Sequence, residues 1–68
     1  MKTATVYFWG ISPFENKHRW HKMATYSKSV ALEVIHDKGI FEVLDTLMLC
    51  ATDDETGEVI GENFILTI

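Results

Sequence analysis

A single cysteine, Cys50, stands in a chain of 68 residues, so no disulfide within the chain can hold the fold together. That is a severe constraint at this length. A domain so short buries only about 60% of the surface its unfolded chain exposes. Its apolar burial is nearly cancelled by conformational entropy, and disulfides, a structural metal or a partner subunit usually supply the difference. With disulfides excluded, association is the expected supplement, and a homodimer is one form of it. The composition, 47% hydrophobic and 24% charged, is too apolar for a disordered chain and fits one folded domain over 1–68. A lone cysteine fits a reducing compartment, so the cytoplasm is expected. Met1–Thr5 lacks the long apolar core of a signal peptide, and the cations from Lys17 to Lys22 interrupt any membrane-spanning run.

The pattern of residues predicts an α+β fold. Thr3–Ile11 alternates and is rich in β-branched and aromatic residues, as a strand requires. Ala4, Val6 and Phe8 point one way; Thr5, Tyr7, Trp9 and Ile11 point the other. Apolar residues on both faces suggest a central strand. Gly10 and Ser12-Pro13 break it, a loop follows over Pro13–His18, and Arg19–Tyr26 reads as a second strand. On that strand strict alternation sets Trp20, Ala24 and Tyr26 opposite to Arg19, His21 and Met23. Ser27 or Ser29 can cap a helix running to about Lys38, with Val30, Ala31, Val34 and Ile35 as its apolar stripe and Gly39 just past its end. Ile40–Thr52 fits either a second helix or a strand. A hairpin of Leu44–Ala51 with Val59–Thr67 is preferred, because Asp53-Asp54-Glu55-Thr56-Gly57-Glu58 is a strong turn. The expected order is β-β-α-β-β: a four-stranded antiparallel sheet with one helix packed on one face. The other face, with Tyr7, Trp9 and Ile11 at its middle, is then left exposed or meets a partner.

The net charge of −4 conceals a partition. Through Val34 the balance is +3; from Ile35 onward it is −7, with Lys38 facing eight acids. Such asymmetry bears on partners rather than on fold. It either compensates across strands or marks an acidic face. In the second case Asp45, Asp53, Asp54, Glu55, Glu58 and Glu62 would engage a protein with a basic surface, in the manner of a nucleic-acid mimic.

Other chemistries fit poorly. His18 and His21 are spaced for a shared metal on a helix but not on a strand, and no further ligand lies near them in sequence. The acidic turn lacks the ligand spacing of a calcium loop. Cys50 sits in an apolar run, where a thiol is inert. His36 has no serine or cysteine placed as its nucleophile. No phosphate loop, dinucleotide fingerprint or zinc-hydrolase motif is present. Neither catalysis nor a cofactor is therefore expected.

A non-enzymatic protein-binding inhibitor or modulator is the leading expectation. Tyr7, Trp9, Arg19 and Trp20 would act as anchors beside the acids, since tryptophan and arginine are enriched at interface hot spots. The inferred layout is similar to that of some very small phage-encoded proteins that block host defence, certain anti-CRISPR proteins among them. The similarity is architectural and assigns no residue a role. The runner-up is a small nucleic-acid-associated regulator using Lys17, Arg19, Trp20 and Lys22, against which the overall acidity argues. A structural homodimer subunit, its exposed sheet face paired with itself, is the third.

Overall fold

The computed structural model describes residues 2–11 and 17–65. Strands β1 (Thr3–Ile11), β2 (His18–Ser27), β3 (Met48–Asp53) and β4 (Val59–Phe64) form one antiparallel sheet in the order β2-β1-β3-β4. Two short helices, α1 (Lys28–Val34) and α2 (Lys38–Leu44), connect β2 to β3. The expected four-stranded antiparallel sheet is present, with β1 inside it. Most of the loop expected at Pro13–His18, and the expected end of the last strand beyond residue 65, lie outside the described residues.

The single helix is corrected to two. Ser27 takes the N-cap position of α1, but its side chain makes no capping hydrogen bond there. The chain leaves α1 at Ile35, whose carbonyl accepts a hydrogen bond from Asn63 Nδ2 at 3.0 Å, a contact that fixes the helix end against β4. Asp37 then starts α2, its carboxylate accepting from the Gly39 backbone N–H at 2.9 Å. Gly39 therefore stands in the first turn of a second helix, not past the end of the first. The segment 40–52 is consequently both of its alternatives in succession. Ile40, Phe41 and Leu44 are helical, Asp45 closes α2 with a left-handed φ of 51°, and the strand begins at Met48.

The core lies between the helices and one face of the sheet. Ala4 and Val6 of β1 and Leu49 and Ala51 of β3 pack with Ala31, Ile35 and Phe41 of the helical segment. Among the described residues only Ile35, Leu49 and Val6 are large and fully buried. The helical segment also approaches β4 closely: a Cβ at Gly61 would stand 2.8 Å from Leu32 Cδ2 and 3.0 Å from Ile35 Cδ1. Glycine at that position is what lets the segment lie flat on the sheet. The turn from β3 to β4 needs another, Gly57, with φ of 77°.

The ladder between β1 and β2 shifts register between Val6 and Tyr7, where β2 passes from Ala24 to Lys22. Met23 is the extra residue, a bulge that reverses alternation along β2. The expected faces of β2 are therefore half right. Ala24 and Tyr26 pair with Val6 and Ala4 on the helix side, whereas Trp20 pairs with Trp9 on the opposite side. His21, paired with Phe8, packs its ring against the phenylalanine at 5.3 Å on the helix side.

With so small a core, Ile35→Ala should cost about 2–5 kcal/mol and leave the domain largely unfolded near 37 °C. Val43→Ser, at a position 82% exposed on α2, should change stability by less than about 0.5 kcal/mol. Thermal melts followed by circular dichroism compare the two; equal losses would contradict this placement of the core.

Candidate interaction face

Both helices lie on one side of the sheet, and no described element covers the other. The residues of that open face follow from the register. Trp20, Lys22 and Thr25 of β2 pair with Trp9, Tyr7 and Thr5 of β1. Tyr7 and Thr5 pair in turn with Cys50 and Thr52 of β3, which pair with Glu62 and Val59 of β4. Met48, beside Trp9 in the sheet, pairs with Phe64. Three cross-strand rows result: an aromatic one ending in Trp20 and Phe64, a middle one ending in Lys22 and Glu62, and a row of threonines ending in Val59.

The aromatic row is built around Trp9. Its ring meets Trp20 edge-on at 5.3 Å and stacks on His18 at 6.2 Å. Aromatic pairs of this geometry contribute about 0.5–1.5 kcal/mol beyond their burial. The backbone beneath is held by Thr46, which is buried and whose hydroxyl lies 2.5 Å from the Trp9 carbonyl. The same oxygen accepts from the Met48 N–H at 3.2 Å. One hydroxyl thus joins the ends of β1 and β3 under the tryptophan. Trp20, Val59, Phe64 and Ile11 remain exposed at 39%, 58%, 47% and 56%. Between them a shallow depression of about 400 Å³ is lined by Tyr7, Trp20, Cys50, Thr52, Val59 and Glu62. A larger hollow of about 770 Å³ lies at the sheet's end between Trp9, His18 and the Leu44–Met48 segment.

The expected site residues separate into groups. Tyr7, Trp9 and Trp20 come together on the open face; Arg19, paired with Gly10, belongs to the helix side. The acids do not share one face. Asp53 points to the helix side and forms an ion pair with Lys28 at 2.8 Å, its carboxylate only 10% exposed. Asp54 accepts hydroxyl hydrogen bonds from Thr3 and Thr5, both at 2.6 Å; Thr5 in turn accepts from Thr25 at 2.9 Å. Glu55 and Glu58 are exposed in the turn, and Glu62 is on the open face. Asp45 sits at the other end of β3, about 20 Å from the turn at strand rise. The charge partition is therefore compensated in part by Lys28 with Asp53, and dispersed for the rest. Sequence reasoning named Lys22 only as part of a basic-aromatic nucleic-acid cluster, and it missed Met48 and Phe64. The bulge hid the place of Lys22 beside Tyr7, and the uncertain start of β3 hid the pairing of the other two.

Among the described residues no cluster of histidine, cysteine and acidic side chains could hold a metal. His18 and His21 occupy opposite faces of the sheet. Burial first, and the Glu62 carboxylate second, push the Cys50 thiol above its usual value, so it is protonated near neutral pH and a poor nucleophile. No helix among the described residues is long and apolar enough to cross a membrane. Compared with protein-family models, curated proteins and solved structures, the chain matches none of them.

Two outcomes test this geometry. The hydrogen bonds from Thr3 and Thr5 hold the Asp54 carboxyl below the usual carboxylate range, and the Lys28 ammonium does the same for Asp53. A carboxylate whose folded-state value is depressed stabilises the fold above its unfolded value, about pH 4, and that contribution disappears as pH falls through the folded value. Asp54→Asn should therefore lower the melting temperature at pH 7 and flatten its decline below about pH 4; an unchanged acid limb would contradict the assignment. Thr46→Val leaves the Trp9 carbonyl and the Met48 N–H without this partner. It should cost about 1–3 kcal/mol and speed hydrogen exchange at Met48.

Proposed function

We propose that this chain is a protein-binding module of the inhibitor or modulator kind, working through the open face of its sheet. The observation that carries the reading is the aromatic row on that face. Trp9 and Trp20 are locked edge-on, with Tyr7 beside them and Phe64 at the far edge, on a rigid scaffold whose other face is already occupied. Rigid aromatic anchors gathered at the middle of an apolar patch are what a protein interface uses for most of its binding energy. The edges of the sheet favour the face over strand addition. The outer strands β2 and β4 each carry a register shift, and Lys22 and Glu62 sit on them, devices that blunt a sheet edge.

The structure shifts the weight of this reading from the acids to the aromatics. Asp53 and Asp54 are engaged within the chain, which leaves Glu62 as the carboxylate beside the anchors and Glu55 and Glu58 as exposed rim charges. Nucleic-acid binding is less favoured on the same face, where Glu62 and Asp54 oppose Lys22 and would repel a phosphate backbone.

The test is affinity capture from the native cell with the wild-type chain, Trp20→Ala and Val43→Ser. A hot-spot anchor removes about 2 kcal/mol or more, roughly a 30-fold loss of affinity, when truncated. Trp20→Ala should lose the captured protein at unchanged fold while Val43→Ser retains it. Equal capture by all three would refute the reading.

A further inference from the structure

We infer that the open sheet face takes a second copy of this chain, related by a two-fold axis that runs parallel to the strands between β1 and β3. The inference rests on the reading of that face as a protein-docking surface, and it names what covers the face in the isolated protein. Lys22 on β2 and Glu62 on β4 stand on one cross-strand line, joined through Tyr7 and Cys50, at opposite edges of the face. Three strand spacings separate them, about 14 Å, too far to pair within one chain.

Two sheets packed face to face with their strands aligned have the two-fold axis close to the strand direction or close to its perpendicular. An axis across the strands, centred on this row, lays each strand on its own counterpart, bringing Lys22 onto Lys22 and Glu62 onto Glu62. An axis along the strands lays β2 on the second copy's β4, and then Lys22 of each copy meets Glu62 of the other. Facing sheets lie about 10 Å apart, a gap that an extended lysine and glutamate close between them. The same operation sets Trp20 against Phe64 and Trp9 against Met48. The face is thus complementary to itself in charge and in bulk, as a two-fold interface must be.

The need for cover points the same way. Among the described residues three large side chains are fully buried, while Ile11, Trp20, Val59 and Phe64 leave apolar surface on the open side. Four strands of six residues give a projected face of about 400 Å². Counting side-chain relief, both copies together would bury on the order of 1,000 Å², the lower bound for a specific interface. One like-charge contact follows: Asp54, bonded to Thr3 and Thr5 near the axis, approaches its counterpart at the rim, where water and salt screen it.

Sedimentation equilibrium on the whole chain tests the arrangement by charge exchange. Wild type is expected to dimerise. Lys22→Glu alone and Glu62→Lys alone each set like charges in both contacts, and each should weaken the dimer at least 10-fold. Mixing the two single variants in equal amounts should restore dimerisation, because both contacts are then opposite in sign, and so should the double variant Lys22→Glu/Glu62→Lys. A wild type that stays monomeric, or single variants that remain monomeric when mixed, would overturn the inference. The docking reading fails separately. If wild type is monomeric yet Trp20→Ala still loses a captured protein, the face docks another chain; if Trp20→Ala changes neither association nor capture, both readings fall.

Discussion

The fourteen helical residues among those described cannot cover both faces of a four-stranded sheet, and the rest of the structure follows from that shortage. α1 and α2 are seven residues each, about 10 Å long at helical rise. Together they cover Ala4, Val6, Leu49 and Ala51 on one side of the two inner strands. The small residues there, and Gly61 on β4, allow the helical segment to lie close. Closeness is obtained at the expense of volume, so the core is thin. Four further bulky side chains, Tyr7, Trp9, Trp20 and Phe64, stand on the other face. In a chain without a disulfide, that distribution is a physical argument for association.

Electrostatics works locally in this fold. The strong compositional divide between a basic first half and an acidic second half is partly neutralised where the turn between β3 and β4 comes back beside the start of β1 and α1. Lys28 holds Asp53, whose carboxylate also accepts from the Glu55 N–H at 2.8 Å, and the Thr3 and Thr5 hydroxyls hold Asp54. These contacts lock the turn to the sheet end. The open face then carries one cation and one anion at opposite edges of its middle row, with Asp54 at its rim, a pattern that favours a complementary surface over a uniformly basic or acidic one.

The sequence made the sheet legible wherever alternation was unbroken. Thr3–Ile11 shows its two faces directly, and the Gly57 turn marks the hairpin that follows β3. Two features were not legible, for different reasons. The Met23 bulge adds a residue without any composition of its own, and it moves Trp20 and Lys22 to the face opposite the one strict alternation assigns. The break between the helices had a signal, Asp37 followed by the Ile40, Phe41 and Leu44 stripe, but Gly39 reads more simply as the end of a helix than as the first turn of the next. The acidic residues could be counted in sequence, whereas their dispersal depends on which hydroxyls and ammonium groups the fold brings to Asp53 and Asp54.

Docking through the open face of the sheet, as proposed, is tested most directly by nuclear magnetic resonance shifts followed over a concentration series. Raising the chain from micromolar to about 1 mM should move the indole N–H signals of Trp9 and Trp20 together with the amides of Lys22, Glu62 and Phe64. Val30, Leu32 and Val43 on the helix side should stay fixed. Shifts confined to the helix side, with both indoles unmoved, would contradict it.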